Sequence, residues 1–171
     1  EGEAGAIFTK HGFILLKCNN IVDHSILDAL INASDCGARV EIIVRSSCGF
    51  LPIHMTNHKN INVRSIIGRF LEHSRIYKFG VGDDATILIG SADLMSRNLD
   101  HRVEVLIPIR EEHTRRYINE ALEELLDDKN DNWKFTKSGW RHNRSINTVH
   151  NELLHVADYR SDESRITNND I

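Results

Sequence analysis

Residues 13–45, FILLKCNNIVDHSILDALINASDCGARVEIIVR, decide the fold. Phe13-Ile-Leu-Leu-Lys17 is a bulky apolar run and reads as a strand. Asp23 is placed to N-cap a helix, because its carboxylate can accept the free amide protons of a first turn. Ile26, Leu27, Leu30 and Ile31 recur at helical spacing, and Gly37 stands where a glycine closes a helix. Ala38-Arg-Val-Glu-Ile-Ile-Val-Arg45 is a second strand. Strand, helix and strand within roughly thirty residues form a βαβ unit. Such a unit implies a parallel pair inside a sheet covered by helices.

Downstream, residues 46–60 are polar, contain Gly49 and Pro52, and read as a loop. A loop at the carboxyl end of a parallel strand is where α/β proteins build their sites. Ile61 to Ile66 reads as a short strand and Gly68 to Glu72 as a helical turn. Arg75–Phe79 and Thr86–Gly90 read as strands around a Gly-Val-Gly-Asp-Asp turn. Arg102 to Ile109 reads as a strong strand. Glu111 to Leu126 is the longest helix, with Tyr117, Ile118, Ala121, Leu122, Leu125 and Leu126 on one face. Glu111 and Glu112 suit the positive end of its dipole. After Trp133 the pattern fades. Residues 143–171 are polar apart from Leu153-Leu154 and read as a loosely held helix followed by a partly disordered tail. The domain is therefore expected over 1–142 and the tail over 143–171.

The chain has 171 residues, of which 40% are hydrophobic and 27% charged, enough to build one packed domain. Its formal charge of -4 excludes a global basic field for nucleic acid or anionic membrane. A polyanion would need a local arginine cluster, and Arg45, Arg64, Arg69, Arg75, Arg97 and Arg102 crowd the middle third. Scattered solvated arginines are the plainer reading of that crowd. Cys18, Cys36 and Cys48 are odd in number and lack a Cys-x-x-Cys pair, which points to a reducing, cytoplasmic setting. No apolar stretch approaches the ~20 residues of a membrane span. The sequence does not begin with Met and reads as one domain of a longer protein.

Chemistry concentrates in three places. His73-Ser74-Arg75 leads into a strand, Gly90-Ser91-Ala92-Asp93 follows one, and Arg97-Asn98 and Asp100-His101-Arg102 come next. Arginine offers phosphate a planar fork of donors, and histidine moves a proton near neutral pH. From the residues alone, an ordinary surface histidine in a loop is the competing reading. His54 and His58, four apart and near Cys48, suggest zinc, but a helix is not expected there and no fourth ligand is in view, so no metal ligand set is assigned. Gly80 to Ala85 reads as a hairpin turn, the three cysteines as small buried or half-buried side chains, and Asp127 to Asp131 as a solvated helix end.

His-x-Arg followed by Gly-Ser-x-Asp resembles the second signature of the phospholipase D superfamily, with Arg75 in place of Lys, Gly80 where an Asp is usual, and Asp93 in place of Asn. Those departures point to the long-type (family 1) polyphosphate kinases. Lys17-Cys-Asn-Asn-Ile-Val-Asp23, Ile43-Val-Arg45, Ile66-Ile-Gly-Arg-Phe-Leu-Glu-His-Ser-Arg75, Gly90-Ser-Ala-Asp-Leu-Met-Ser-Arg-Asn98 and Asp100-His-Arg-Val-Glu-Val105 all look like the last, phospholipase D-like domain of that family, in the right order. The resemblance covers roughly residues 7–142. Ser46 and Pro52-Ile53-His54 depart from it, since the family has Gly after Ile-Val-Arg and Pro-Gly in the loop.

The resemblance implies a phospholipase D-like α/β sandwich, one mixed sheet with helices on both faces. It implies one half of a site that transfers the terminal phosphate of ATP to polyphosphate. The phosphohistidine lies in a preceding domain of the same polypeptide, not in this chain, and the isolated domain is expected to be inactive. His73 and Arg102 are implied as catalytic, and Arg45, His73, Arg75 and Arg102 as binding ATP phosphates. Asn19, Ser91, Asp93 and Asn98 are taken as supporting residues. Mg²⁺ is implied with ATP, as are a cytoplasmic location and a homo-oligomeric whole enzyme, with no nucleic acid partner. A phosphodiesterase or nuclease of the same superfamily and a non-catalytic phosphate-binding module stay open as alternatives.

Overall fold

The computed structural model describes residues 12–154 of the chain. The βαβ unit is present: β1 (Phe13–Cys18), α1 (His24–Asp35) and β2 (Arg39–Val44). The Asp23 carboxylate caps α1 by accepting from the Ile26 amide, and Gly37 takes a φ of 97° beyond its end. β1 and β2 pair in parallel, with Phe13 opposite Arg39 and Cys18 opposite Val44. Both strands are buried on both faces, as central parallel strands must be.

The remaining strands are β3 (Ile61–Ser65), β4 (Arg75–Phe79), β5 (Thr86–Gly90), β6 (Leu106–Pro108), β7 (Asn132–Thr136) and β8 (Gly139–Asn143). They complete one eight-stranded sheet in the order β6-β5-β4-β1-β2-β3-β7-β8. β3 joins β2 in parallel, and the outer pairings are antiparallel. Side chains alternate between two cores. Ile14, Leu16, Val40 and Ile42 pack with Leu27 and Leu30 of α1, whereas Leu15, Ile43 and Ile87 pack with Ile118, Leu122 and Leu125 of α4 (Glu112–Leu126). Helices thus cover both faces of a mixed sheet, the phospholipase D-like sandwich.

Glu111 caps α4, accepting from the His113 and Thr114 amides at 2.8 and 2.6 Å. At its other end, Arg64 donates to the Leu126 carbonyl at 2.6 Å, tying the helix to the sheet. Tyr117 is exposed rather than on the buried face of α4.

Several expectations change. The 46–60 loop contains a short helix, α2 (Pro52–Asn57), because Pro52 opens it at the first helical position instead of breaking the chain. His54 and His58 lie at that helix: the Leu51 amide donates to His54 Nδ1, and His58 Nδ1 sits 2.6 Å from Asp35. Residues 68–72 form an extended bend without a helical turn. The Arg102–Ile109 strand shrinks to Leu106–Pro108, preceded by α3 (Ser96–His101), and Val103 and Val105 stand exposed. The β7–β8 hairpin lies where the pattern seemed to fade. Asp128 pairs with Arg64 and Lys134, and Asp131 with His142, so this acidic run ties elements together instead of capping a solvated end. Cys36 is exposed. Residues 149–154 are helical with Val149 and His150 buried, so the start of the expected tail packs on the second core. The disorder expected beyond residue 154 lies outside the described residues.

Candidate functional site

The carboxyl ends of β1, β2, β3 and β5 and the amino end of β4 meet at one edge of the sheet, because β4 runs antiparallel to both β1 and β5. Asn19, Arg45, the 66–74 segment, Arg75 and Ser91 to Asp93 therefore gather there. They lie far apart in sequence, and the topology alone assembles them.

Asp93 is the hub. Its Oδ1 accepts from the Asn19 amide at 2.8 Å, the Asn20 amide at 3.3 Å and Arg75 Nε at 3.3 Å. Its Oδ2 accepts from Asn20 Nδ2 at 3.1 Å and Arg75 Nη2 at 3.2 Å. Burial pushes this carboxyl up, but the Arg75 and Asn19 hydrogen bonds outweigh it and hold Asp93 below the usual carboxylate range. Beneath it, Cys18 is buried, and burial together with the Asp93 charge pushes its thiol up to about 12.

Arg75 carries the hub to His73. Its Nη1 donates to the His73 carbonyl and to His73 Nδ1, each at 2.8 Å. Arginine only donates, so Nδ1 is the acceptor at 2.8 Å; the same Nη1 also lies 3.4 Å from Nε2, so the guanidinium spans both ring nitrogens of the exposed imidazole. With three of its nitrogens engaged, Arg75 holds His73 more than it offers itself to a phosphate.

A second cluster lies alongside. Ser91 Oγ donates to Glu104, Asn98 Nδ2 donates to the same carboxylate at 2.6 Å, and the Val105 amide donates to Ser91 Oγ at 3.1 Å. Glu104 is held below its usual range by Ser91 and Asn98, with Arg102 and Arg75 adding their charge. Arg102 itself is exposed and makes no hydrogen bond or ion pair with the described residues. Sequence spacing alone does not mark Glu104, because the two polar side chains that converge on it, Ser91 and Asn98, meet it only in the fold.

Arg45 directly follows β2 and lines an open cleft of about 640 Å³ with Gly68, Arg69, Phe70 and Glu72. Its Nη1 is buried and finds no hydrogen-bond partner among the described residues. Lys17 and His150 complete the neighbourhood: Lys17 Nζ pairs with Glu72 at 2.9 Å, and Glu72 accepts from His150 Nε2 at 2.9 Å. Neither Glu72 nor His150 was foreseen as a site residue, for His150 lies 78 positions away in sequence.

The carboxylates nearest the site are all engaged: Asp93 by Arg75, Glu104 by Ser91 and Asn98, Glu72 by Lys17 and His150. That donor set does not fit a Mg²⁺ ion held by the protein. No group of three metal-ligating side chains is found among the described residues.

A family model for the polyphosphate kinase C-terminal domain 2 matches residues 4–153. The chain is 45% identical over 131 residues to a polyphosphate kinase of Mycobacterium leprae and 43% identical over 130 residues to one of Prochlorococcus marinus. Those alignments cover 77% and 76% of this chain but 18% of each relative. Among solved structures, the polyphosphate kinase of Porphyromonas gingivalis superposes with a TM-score of 0.85 at 27% identity, over 94% of this chain and 26% of that one. The phospholipase D family member Nuc of Salmonella typhimurium shares the fold at a TM-score of 0.55 and 17% identity, over 83% of this chain and 88% of that one. The saturated hub at Asp93, its hold on His73 and the strand-end cleft at Arg45 are thus the work of a chain that belongs to the polyphosphate kinase C-terminal domain 2 family.

Proposed function

We propose that this domain supplies one half of an active site that moves the terminal phosphate of ATP to a polyphosphate chain. The observation that carries the reading is Arg45, a half-buried arginine beside a cleft whose buried Nη1 finds no partner among the described residues. A buried cationic donor left without a partner is costly, and an incoming phosphate oxygen relieves that cost. Arg102, exposed and unpaired, adds a second donor, and charge spread over phosphoryl oxygens is what such arginines stabilise.

His73 is the assisting histidine in this reading. Arg75 fixes its ring, with Nη1 2.8 Å from Nδ1 and 3.4 Å from Nε2, and the exposed imidazole donates a proton or a hydrogen bond to a phosphate oxygen in this reading. The phosphorylated histidine belongs to a facing domain of the same polypeptide. Mg²⁺ comes with ATP, where it supplies charge neutralisation at the phosphates. The parent enzyme is a cytoplasmic homo-oligomer in this reading, and no helix among the described residues is long and apolar enough to cross a membrane.

The test is ATP-dependent polyphosphate synthesis by the intact parent enzyme carrying His73→Ala. A fall of ~10²–10⁴-fold is expected of a lost general acid. Near wild-type synthesis overturns the assignment, and hydrolysis of a simple phosphodiester by the wild-type enzyme would favour the phosphodiesterase reading instead.

A further inference from the structure

The segment that carries His73 has almost no backbone support. Apart from pairings inside regular elements, no backbone–backbone hydrogen bond among the described residues involves 67–74. Apolar anchoring is weak as well, for Ile67, Phe70 and Leu71 are exposed. The segment rests instead on side chains from elsewhere.

Two of them, Lys17 and His150, are joined through Glu72 of the segment itself. Lys17, on β1 and buried to 3% exposure, donates to Ser74 Oγ at 2.8 Å and to the Ser74 carbonyl at 3.3 Å, and pairs with Glu72 at 2.9 Å. Glu72 accepts from His150 Nε2, and His150 Nδ1 accepts from the Phe70 amide at 3.1 Å. His150 is thus a two-ended strut: one ring nitrogen holds the backbone of the segment, the other its only carboxylate. The fit is close. A Cβ on Gly68 would lie 2.7 Å from His150 Nδ1, so only glycine lets the backbone settle onto the ring. The Phe70 ring lies over the same imidazole, with centroids 5.3 Å apart.

We propose that His150, acting through Glu72 and Phe70, is a positioning residue that seats the 66–74 segment and thereby aims His73. Its functional consequence rests on the phosphotransfer reading above; the seating itself does not. The strut needs an acceptor at Nδ1 and a donor at Nε2. Only the neutral ring protonated on Nε2 satisfies both. A glutamine offers the same pair, a carbonyl oxygen and an amide N–H, on a side chain of similar reach.

The experiment compares His150→Ala, His150→Gln and Gly68→Ala with wild type by two readouts. The first is amide hydrogen exchange over 66–74 in the whole chain. Exchange at the Phe70 amide, which donates to His150 Nδ1, is expected to rise at least ~10-fold in His150→Ala and Gly68→Ala and to return near wild type in His150→Gln, while β1 and β2 stay protected. The second is kinetics in the parent enzyme: kcat is expected to fall ~10–100-fold in His150→Ala, because the aim of His73 is lost. Unchanged protection of 66–74 in both His150→Ala and Gly68→Ala overturns the proposal. So does failure of glutamine to restore protection. Should His150→Ala unfold the whole chain, Gly68→Ala and His150→Gln decide the matter. Lost protection with unchanged kcat would uphold the seating and count against the role given to His73, so the two readings fail separately.

Discussion

The two polar clusters flanking the start of β4 follow opposite rules. Around Asp93, both carboxylate oxygens are taken by the Asn19 and Asn20 amides and by Arg75, which is itself engaged with His73. Around Arg45, a buried guanidinium nitrogen has no partner, and an open cleft lies beside it. A cluster whose groups satisfy one another has nothing to gain from a ligand; it stabilises and orients. A cluster with a buried donor to spare gains most from an anion. The difference separates two arginines that look alike in sequence: Arg75 is fully engaged by Asp93 and His73, whereas Arg45, in the proposed function, is the one that meets substrate.

Asp93→Ala is the most severe way to break this contrast. It leaves the Arg75 guanidinium, 13% exposed, without its carboxylate, and strips the acceptor from two backbone amides. Removing one partner of a largely buried pair costs about 3–5 kcal/mol. Urea unfolding of the chain should show a loss of that size, and a loss under ~1 kcal/mol would mean that Asp93 is not the hub.

Arg45→Met should do the reverse. It removes a nitrogen that no atom of the described residues satisfies, so the urea midpoint should hold or rise. Polyphosphate synthesis by the parent enzyme should fall ~10²–10³-fold, as when a preorganised charge-stabilising donor is lost. Arg75→Met, by contrast, should lower both. If Arg45→Met and Arg75→Met behave alike, the distinction between scaffold and substrate arginine collapses.

Asp93→Asn sharpens the comparison through pH. The Asp93 carboxyl is held below its ordinary value, against the upward push of burial, mainly by Arg75. A carboxyl with a depressed folded pKa contributes stability that is present above its unfolded value, about 3.9, and is lost as pH falls through the folded pKa. The stability gap between wild type and Asp93→Asn should therefore stay level from neutral pH down to about 5 and close below about 4. A gap that persists in acid would show that the side-chain shape, not its charge, matters at 93.

Much of this was legible in the sequence, and the parts that were not share a cause. The βαβ unit, β4, β5 and α4 follow from local periodicity, and β4 and β5 keep their expected bounds, Arg75–Phe79 and Thr86–Gly90. The motifs around His73 and Asp93 were legible because a family order ties them together. The hairpin β7–β8 was not: its residues are polar and aromatic by turns, and they sit in the sheet because Phe135 pairs with Val63 and Arg64 with Lys134, contacts made across some seventy residues. β6 failed the other way. Val103 and Val105 promised a longer strand, but the regular pairing with β5 stops at Leu106, where Ser91 and Asn98 bind the Glu104 carboxylate and the Ser91 side chain takes the Val105 amide. His150 lay in what read as a tail, and no spacing rule joins it to Glu72.

The smallest effect concerns Cys18, which reports on the hub from below. Burial, then the Asp93 charge, pushes its thiol to about 12. At pH 8 only about one such thiol in ten thousand is ionised, against about a quarter for an ordinary one near 8.5. The thiolate is the form that alkylates. Iodoacetamide at pH 8 should therefore modify exposed Cys36 readily and leave Cys18 unmodified in the folded chain. In Asp93→Ala, Cys18 should gain reactivity because the chain above it opens more often; in Arg45→Met it should not, because the substitution keeps the Arg45 amide that donates to the Cys18 carbonyl. Mass spectrometry of the peptide holding residue 18 reads this directly. Equal Cys18 labelling in the two variants would mean that the clusters share one opening event, and that the boundary between scaffold and substrate cleft does not fall at β4.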